Sequence, residues 1–120
     1  MRKKSLILAL YAGIAAAALS APWSCAQVQP QRVEITAKRF AFSPGEITVK
    51  VNQPVVLVLK SADVGHGLRI RDFGIDLKVK AGQTAELKFT PNKIGNFIGH
   101  CSVFCGSGHG SMIFMLHVVS

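Results

Sequence analysis

Acidic residues are scarce in this chain of 120 residues: six Asp and Glu stand against 14 Lys and Arg, a formal +8. Charged residues of both signs make up only 17% of it and hydrophobic ones 49%, which excludes a disordered polyelectrolyte. Three cysteines are too few for a disulfide-dense miniprotein. The single Trp and the single Tyr, Trp23 and Tyr11, both lie near the N-terminus. The longest apolar run, residues 6–19, is alanine-rich and too short for a comfortable membrane span. The remainder has no convincing helical period, no repeat, no low-complexity segment and no internal linker. One domain is all that the length allows.

What is present begins with a leader. Arg2, Lys3 and Lys4 precede the apolar run, and small residues suited to cleavage follow at Ala18-Leu19-Ser20 and Ser24-Cys25-Ala26. We take the second and assign residues 1–26 to a signal peptide and 27–120 to the folded domain. Two alternatives stay open: lipidation at Cys25, and a retained leader acting as a weak membrane anchor. Export predicts a location in the periplasm or on the outer face of a bacterial inner membrane. It excludes nucleic acid as a partner despite the basic balance. Without the leader, eleven cations face six anions, a net +5, and neither Trp nor Tyr remains. A domain of this size buries about 60–65% of its unfolded surface, so a bound metal would help it noticeably.

Short β-rich runs separated by turn residues fill the domain and predict an all-β sandwich. Val33, Ile35 and Ala37 alternate with polar neighbours, and Ile47, Val49 and Val51 repeat the pattern after the Ser43-Pro44-Gly45 turn. Residues 55–59 are continuously apolar, as a strand buried on both faces would be. Leu68 and Ile70 alternate with Arg69 and Arg71; Ile75, Leu77 and Val79 alternate with Asp76, Lys78 and Lys80. Ala81-Gly82 turns the chain into Ala85, Leu87 and Phe89, Phe97 leads toward a cysteine loop, and residues 112–119 form the last strand.

Chemistry concentrates in that loop. Cys101, Cys105, His109 and Met112 form the pattern C-x3-C-x3-H-x2-M, with Gly106, Gly108 and Gly110 between them. Two thiolates, an imidazole and a thioether are soft or borderline donors, a set that suits copper better than hard cations. The glycines allow the loop to fold back on itself. A further imidazole, His66, stands 35 residues upstream of Cys101 in Asp63-Val64-Gly65-His66-Gly67, at a strand–turn junction that a sandwich can bring to the loop.

These residues resemble the cupredoxin domain of cytochrome c oxidase subunit II and the matching domain of nitrous oxide reductase, which hold a dinuclear copper A (CuA) centre. The resemblance runs through Phe40-Ala41-Phe42-Ser43-Pro44, the His66 segment, Ala81-Gly82 and the ligand loop. It implies a cupredoxin-like Greek-key β-sandwich holding two copper ions. Cys101 and Cys105 would be the bridging thiolates, and His66 and His109 would each cap one copper. Met112 and the backbone carbonyl of Val103 would be the weak ligands. It also implies an electron carrier that receives electrons from a cytochrome c-like donor and passes them to a haem–copper oxidase or another acceptor. Alone, such a domain is not an enzyme; it would act in catalysis only as an oxidase subunit. Three departures stand out. Val103 replaces a commonly acidic residue, Leu68 replaces a common aromatic, and no pair of membrane-spanning helices is present. The resemblance therefore implies a freestanding or loosely anchored domain, with Phe104 as the candidate aromatic for receiving electrons.

Other readings of the same residues remain. Cys101 and Cys105 would suit a structural disulfide, and two Cys with two His would suit tetrahedral zinc. One Cys with His66, His109 and Met112 would make a mononuclear copper carrier. A protein that delivers or stores copper would use the same donors. His100, next to Cys101 on an alternating strand, should face away from it, and His117 should face solvent. Cations at positions 69, 71, 78 and 80 form a solvated sheet face and a candidate docking surface for an acidic redox partner.

Overall fold

The computed structural model describes residues 29–120 together with Gly13. The 1–26 leader assignment, with Trp23, Tyr11 and Cys25, otherwise lies outside the described residues. Alternation of apolar and polar side chains makes each strand two-faced, and two sheets close over the apolar faces. The strands are β1 (Gln31–Lys38), β2 (Ala41–Ser43), β3 (Glu46–Lys50), β4 (Val55–Ser61), β5 (His66–Ile70), β6 (Ile75–Val79), β7 (Thr84–Phe89), β8 (Gly95–Cys101) and β9 (Ile113–Val119). One sheet runs β2-β1-β4-β7 and the other β3-β9-β8-β5-β6. Parallel pairings of β1 with β4 and of β3 with β9 are set among antiparallel neighbours. The predicted sandwich is therefore the observed fold.

Ile35, Leu57, Leu59, Leu68, Phe114 and Leu116 are essentially inaccessible and fill the space between the sheets. In the continuous run of β4, Val55, Leu57 and Leu59 are buried on one face as expected, and on the other Val58 is buried but Val56 only half-buried. Met112 differs slightly from expectation. It closes a short 3₁₀ turn, His109–Ser111, and the last strand begins one residue later. Among the described residues, no helix is long and apolar enough to cross a membrane.

The register explains how the 35-residue gap closes. β5 lies antiparallel to β8 with Leu68 opposite Cys101, and the Ser102 N–H donates to the Gly67 carbonyl at 3.1 Å. The start of β5, which is His66, therefore meets the end of β8, which is Cys101. At the neck of the loop, the Cys101 N–H donates to the Met112 carbonyl at 3.2 Å.

Candidate metal centre

All six residues singled out in the sequence arrive at one end of the sandwich. The Cys101 and Cys105 sulfurs are 3.9 Å apart. His66 Nδ1 lies 3.8 Å from Cys101 Sγ, and His109 Nδ1 lies 3.7 Å from Cys105 Sγ. Met112 Sδ is 3.8 Å from Cys105 Sγ, and the Val103 carbonyl is 3.2 Å from Cys101 Sγ. The cysteines are free thiols, far beyond the roughly 2.05 Å of a disulfide. Donors that share one ion at bond lengths of about 2.0–2.3 Å stand about 3.3–3.8 Å apart across a tetrahedral angle. The observed separations are of that size, so the donor set fits a soft metal without rearrangement of the backbone. Donor atoms of His66, Cys101 and Cys105 all fall within 4.8 Å of one another.

Burial grades across the site. His66 and Met112 are inaccessible, Cys101 and Cys105 nearly so, and His109 is half-exposed. Phe104 is 78% exposed, with its ring 5.7 Å from that of His109. Burial first, then hydrogen bonding with Cys101, pushes the Cys105 thiol pKa up. Metal-free protein therefore keeps this thiol protonated at neutral pH, and a metal must displace the proton.

Three supporting residues were not assigned roles from the sequence. Asp63 Oδ1 is 2.7 Å from His66 Nε2. A carboxylate accepts there, so Nε2 carries the proton and the Nδ1 lone pair faces the sulfurs. The Asp-x-x-His spacing was the available signal. Arg39, at the corner between β1 and β2, donates its backbone N–H to Asp63 Oδ2 at 2.8 Å and its Nε–H to the Cys105 carbonyl at 3.0 Å. It thus ties both halves of the site together, and nothing in its local sequence announces this. Phe40 seats the ligand loop. A Cβ at Gly108 would stand 2.5 Å from its ring, and one at Gly106, where φ is +139°, would stand 2.9 Å from it. Gly108→Ala is expected to cost about 1–3 kcal/mol through overpacking. Denaturant unfolding would show this, with a smaller cost in the Phe40→Leu background.

His100 is exposed on the outer face, opposite Ile113 and away from the sulfurs, as expected. His117 also points outward but is half-buried, its ring held between Asn96 Oδ1 at 2.6 Å and Glu46 Oε2 at 3.0 Å. Of the four cations read as a docking face, Arg69 donates to Asp76 at 3.0 Å, and Ser102 occupies the other Asp76 oxygen at 2.6 Å.

The chain matches the cupredoxin-like domain family over residues 6–114. It is 33% identical over 97 residues to cytochrome c oxidase subunit 2 of Cereibacter sphaeroides, an alignment covering 78% of this chain and 32% of that protein. It therefore spans about a third of that relative's length. It shares its fold with the periplasmic domain of cytochrome oxidase subunit II (CoxB) of Bradyrhizobium japonicum. The TM-score is 0.69 and the identity 24%, with 78% of this chain and 88% of that one covered. A second subunit II structure, caught in a mixed disulfide with the thioredoxin-like protein TlpA, gives a TM-score of 0.63 at 25% identity. That comparison covers 75% of this chain and 82% of the other. The chain belongs to the cupredoxin-like domain family, as a homologue of cytochrome c oxidase subunit 2.

Proposed function

We propose that this domain holds two copper ions in a CuA centre and carries single electrons, on the periplasmic side of a bacterial inner membrane. The supporting observation is the pair of buried sulfurs 3.9 Å apart, flanked by imidazole nitrogens at 3.8 and 3.7 Å on different cysteines. The sulfurs of Cys101 and Cys105 would hold both ions, His66 and His109 would each serve one of them, and Met112 and the Val103 carbonyl would complete the set. When bound, the metal supplies a one-electron couple whose unpaired electron is shared between two ions.

The chain's own residues do the rest. Asp63 holds the His66 ring proton, so the ring does not turn when charge changes. Arg39 fixes the carbonyl of Cys105 and Phe40 fixes the glycines that follow, so the loop keeps one geometry in both redox states. Inaccessible Met112 and His66 exclude water from the inner side. Half-exposed His109, beside exposed Phe104, makes the outer edge through which an electron arrives. The relatives' name, cytochrome c oxidase subunit 2, supports a cytochrome c-like donor and a haem–copper oxidase acceptor.

The test is the electron paramagnetic resonance spectrum of the copper-loaded protein. Hyperfine splitting from two equivalent copper nuclei is the expected result. Splitting from one nucleus would replace this reading with a mononuclear carrier. Ready transfer of Cu(I) to an acceptor chelator, without reversible one-electron cycling, would replace it with copper delivery.

A further inference from the structure

Four loops close the metal end of the sandwich: 39–40, 62–65, 80–83 and 102–112. Their cations are Arg39 and Lys80, with Lys38 ending β1 immediately beside them, and all three are exposed. Lys80 follows Val79, the residue opposite His66 in the β5–β6 ladder. The one carboxylate in these loops is Asp63. It presents little free charge, because it accepts from the Arg39 and Val64 N–H groups and from the His66 ring. Arg69, at mid-sheet, has its charge matched by Asp76. Lys38, Arg39 and Lys80 at the metal end thus face no free carboxylate within these loops.

Within that ring lies an apolar centre. Phe104 and Val64 border an open pocket of about 320 Å³ whose floor includes Cys105 and whose rim carries Arg39. The bond from Arg39 Nε to the Cys105 carbonyl fixes the guanidinium there. An apolar contact ringed by cations, set over a half-exposed ligand, is complementary to a protein that surrounds its own redox edge with carboxylates.

We infer that the metal end, through Lys38, Arg39 and Lys80 around Phe104, docks the acidic face of the electron-donor protein. This rests on the electron-transfer reading and adds the sign of the partner's charge. The overall +5 of residues 27–120 steers the approach, and the local ring selects the face. One electron passes per encounter, the donor being oxidised and the bound copper reduced.

A hexa-aspartate peptide is the probe. It is titrated into the protein with amide shifts followed by NMR, which needs no copper. The expected shifts cluster at residues 38–40, 80–83 and 103–105. The variant Lys38→Glu/Lys80→Glu should bind about tenfold more weakly. Lys50→Glu/Lys88→Glu, with the same net charge but altered toward the other end of β3 and β7, should bind like the wild type. In copper-loaded protein, oxidation by hexacyanoferrate(III) should slow with added salt and in the first variant only. Oxidation by cationic tris(phenanthroline)cobalt(III) should speed up with salt. Equal weakening in both variants, or shifts spread over the whole basic surface, would overturn the assignment. Clustered shifts in a protein whose copper does not cycle one electron would leave the surface standing and sink the electron-transfer reading.

Discussion

Cys105→Ser should bind one copper per chain where the proposed centre takes two, and its paramagnetic spectrum should show a single nucleus. Each sulfur of the pair touches a different set of donors. Cys101 lies against His66 and the Val103 carbonyl, and Cys105 against His109 and Met112. Removing either thiolate leaves one cluster with a soft anion and the other without. A serine hydroxyl stays neutral and hard under these conditions and does not replace a bridging thiolate. The two variants should also differ from one another. Cys101→Ser keeps Cys105 with His109 and Met112, a set that suits mononuclear copper. Cys105→Ser keeps Cys101 with buried His66. Loss of folding is not the expected cause, since an unpartnered buried hydroxyl costs about 1–3 kcal/mol, and circular dichroism would establish that. Two coppers bound by either variant, or an unchanged hyperfine pattern, would sink the bridging assignment.

Much of this site was legible because its donors are rare residue types at fixed spacing, and a loop between two paired strands keeps near-sequence donors near in space. His66 was legible for a different reason. A strand-initial histidine 35 residues upstream needs only one antiparallel pairing, Leu68 with Cys101, to arrive. Strand alternation read equally well in β6, whose Ile75, Leu77 and Val79 are all buried while Asp76 and Lys78 are exposed. It read less well at β7, where Ala85, Leu87 and Phe89 are only half-buried although β6 and β7 both lie at sheet edges. β2, at three residues, is too short to carry a period. Arg39 and Phe40 were not legible as parts of the site. Their contacts join residues 66 to 68 positions apart, and no periodicity encodes which corner of the first sheet will lie against the ligand loop.

Asp63→Asn is expected to weaken copper binding about 10- to 100-fold, the usual effect of losing a group that orients a metal-binding histidine. Asp63 Oδ1 accepts from the Val64 N–H at 2.6 Å and from the His66 ring at 2.7 Å, while Oδ2 accepts from the Arg39 N–H at 2.8 Å. An amide offers one acceptor oxygen, so its NH₂ must face either the His66 ring proton or a backbone N–H, donor against donor. Either arrangement frees the ring to turn or loosens the Arg39 corner that also holds Cys105. Those donors, the Arg39 N–H first and the His66 ring next, bring the Asp63 pKa down from 3.8 to about 2. A lowered carboxylate pKa favours the folded state above the unfolded value, and the benefit fades as pH falls toward the folded value. The contribution is therefore complete above pH 3.8 and disappears between there and about pH 2. Acid unfolding of metal-free wild type should steepen in that window, and the Asn variant should lack that component. At neutral pH the carboxylate stays charged, so a difference in copper affinity measured by chelator competition reports orientation of His66 and not titration of Asp63. Equal affinity in the two proteins would mean that burial alone holds the ring, and Asp63 would then be only a turn residue.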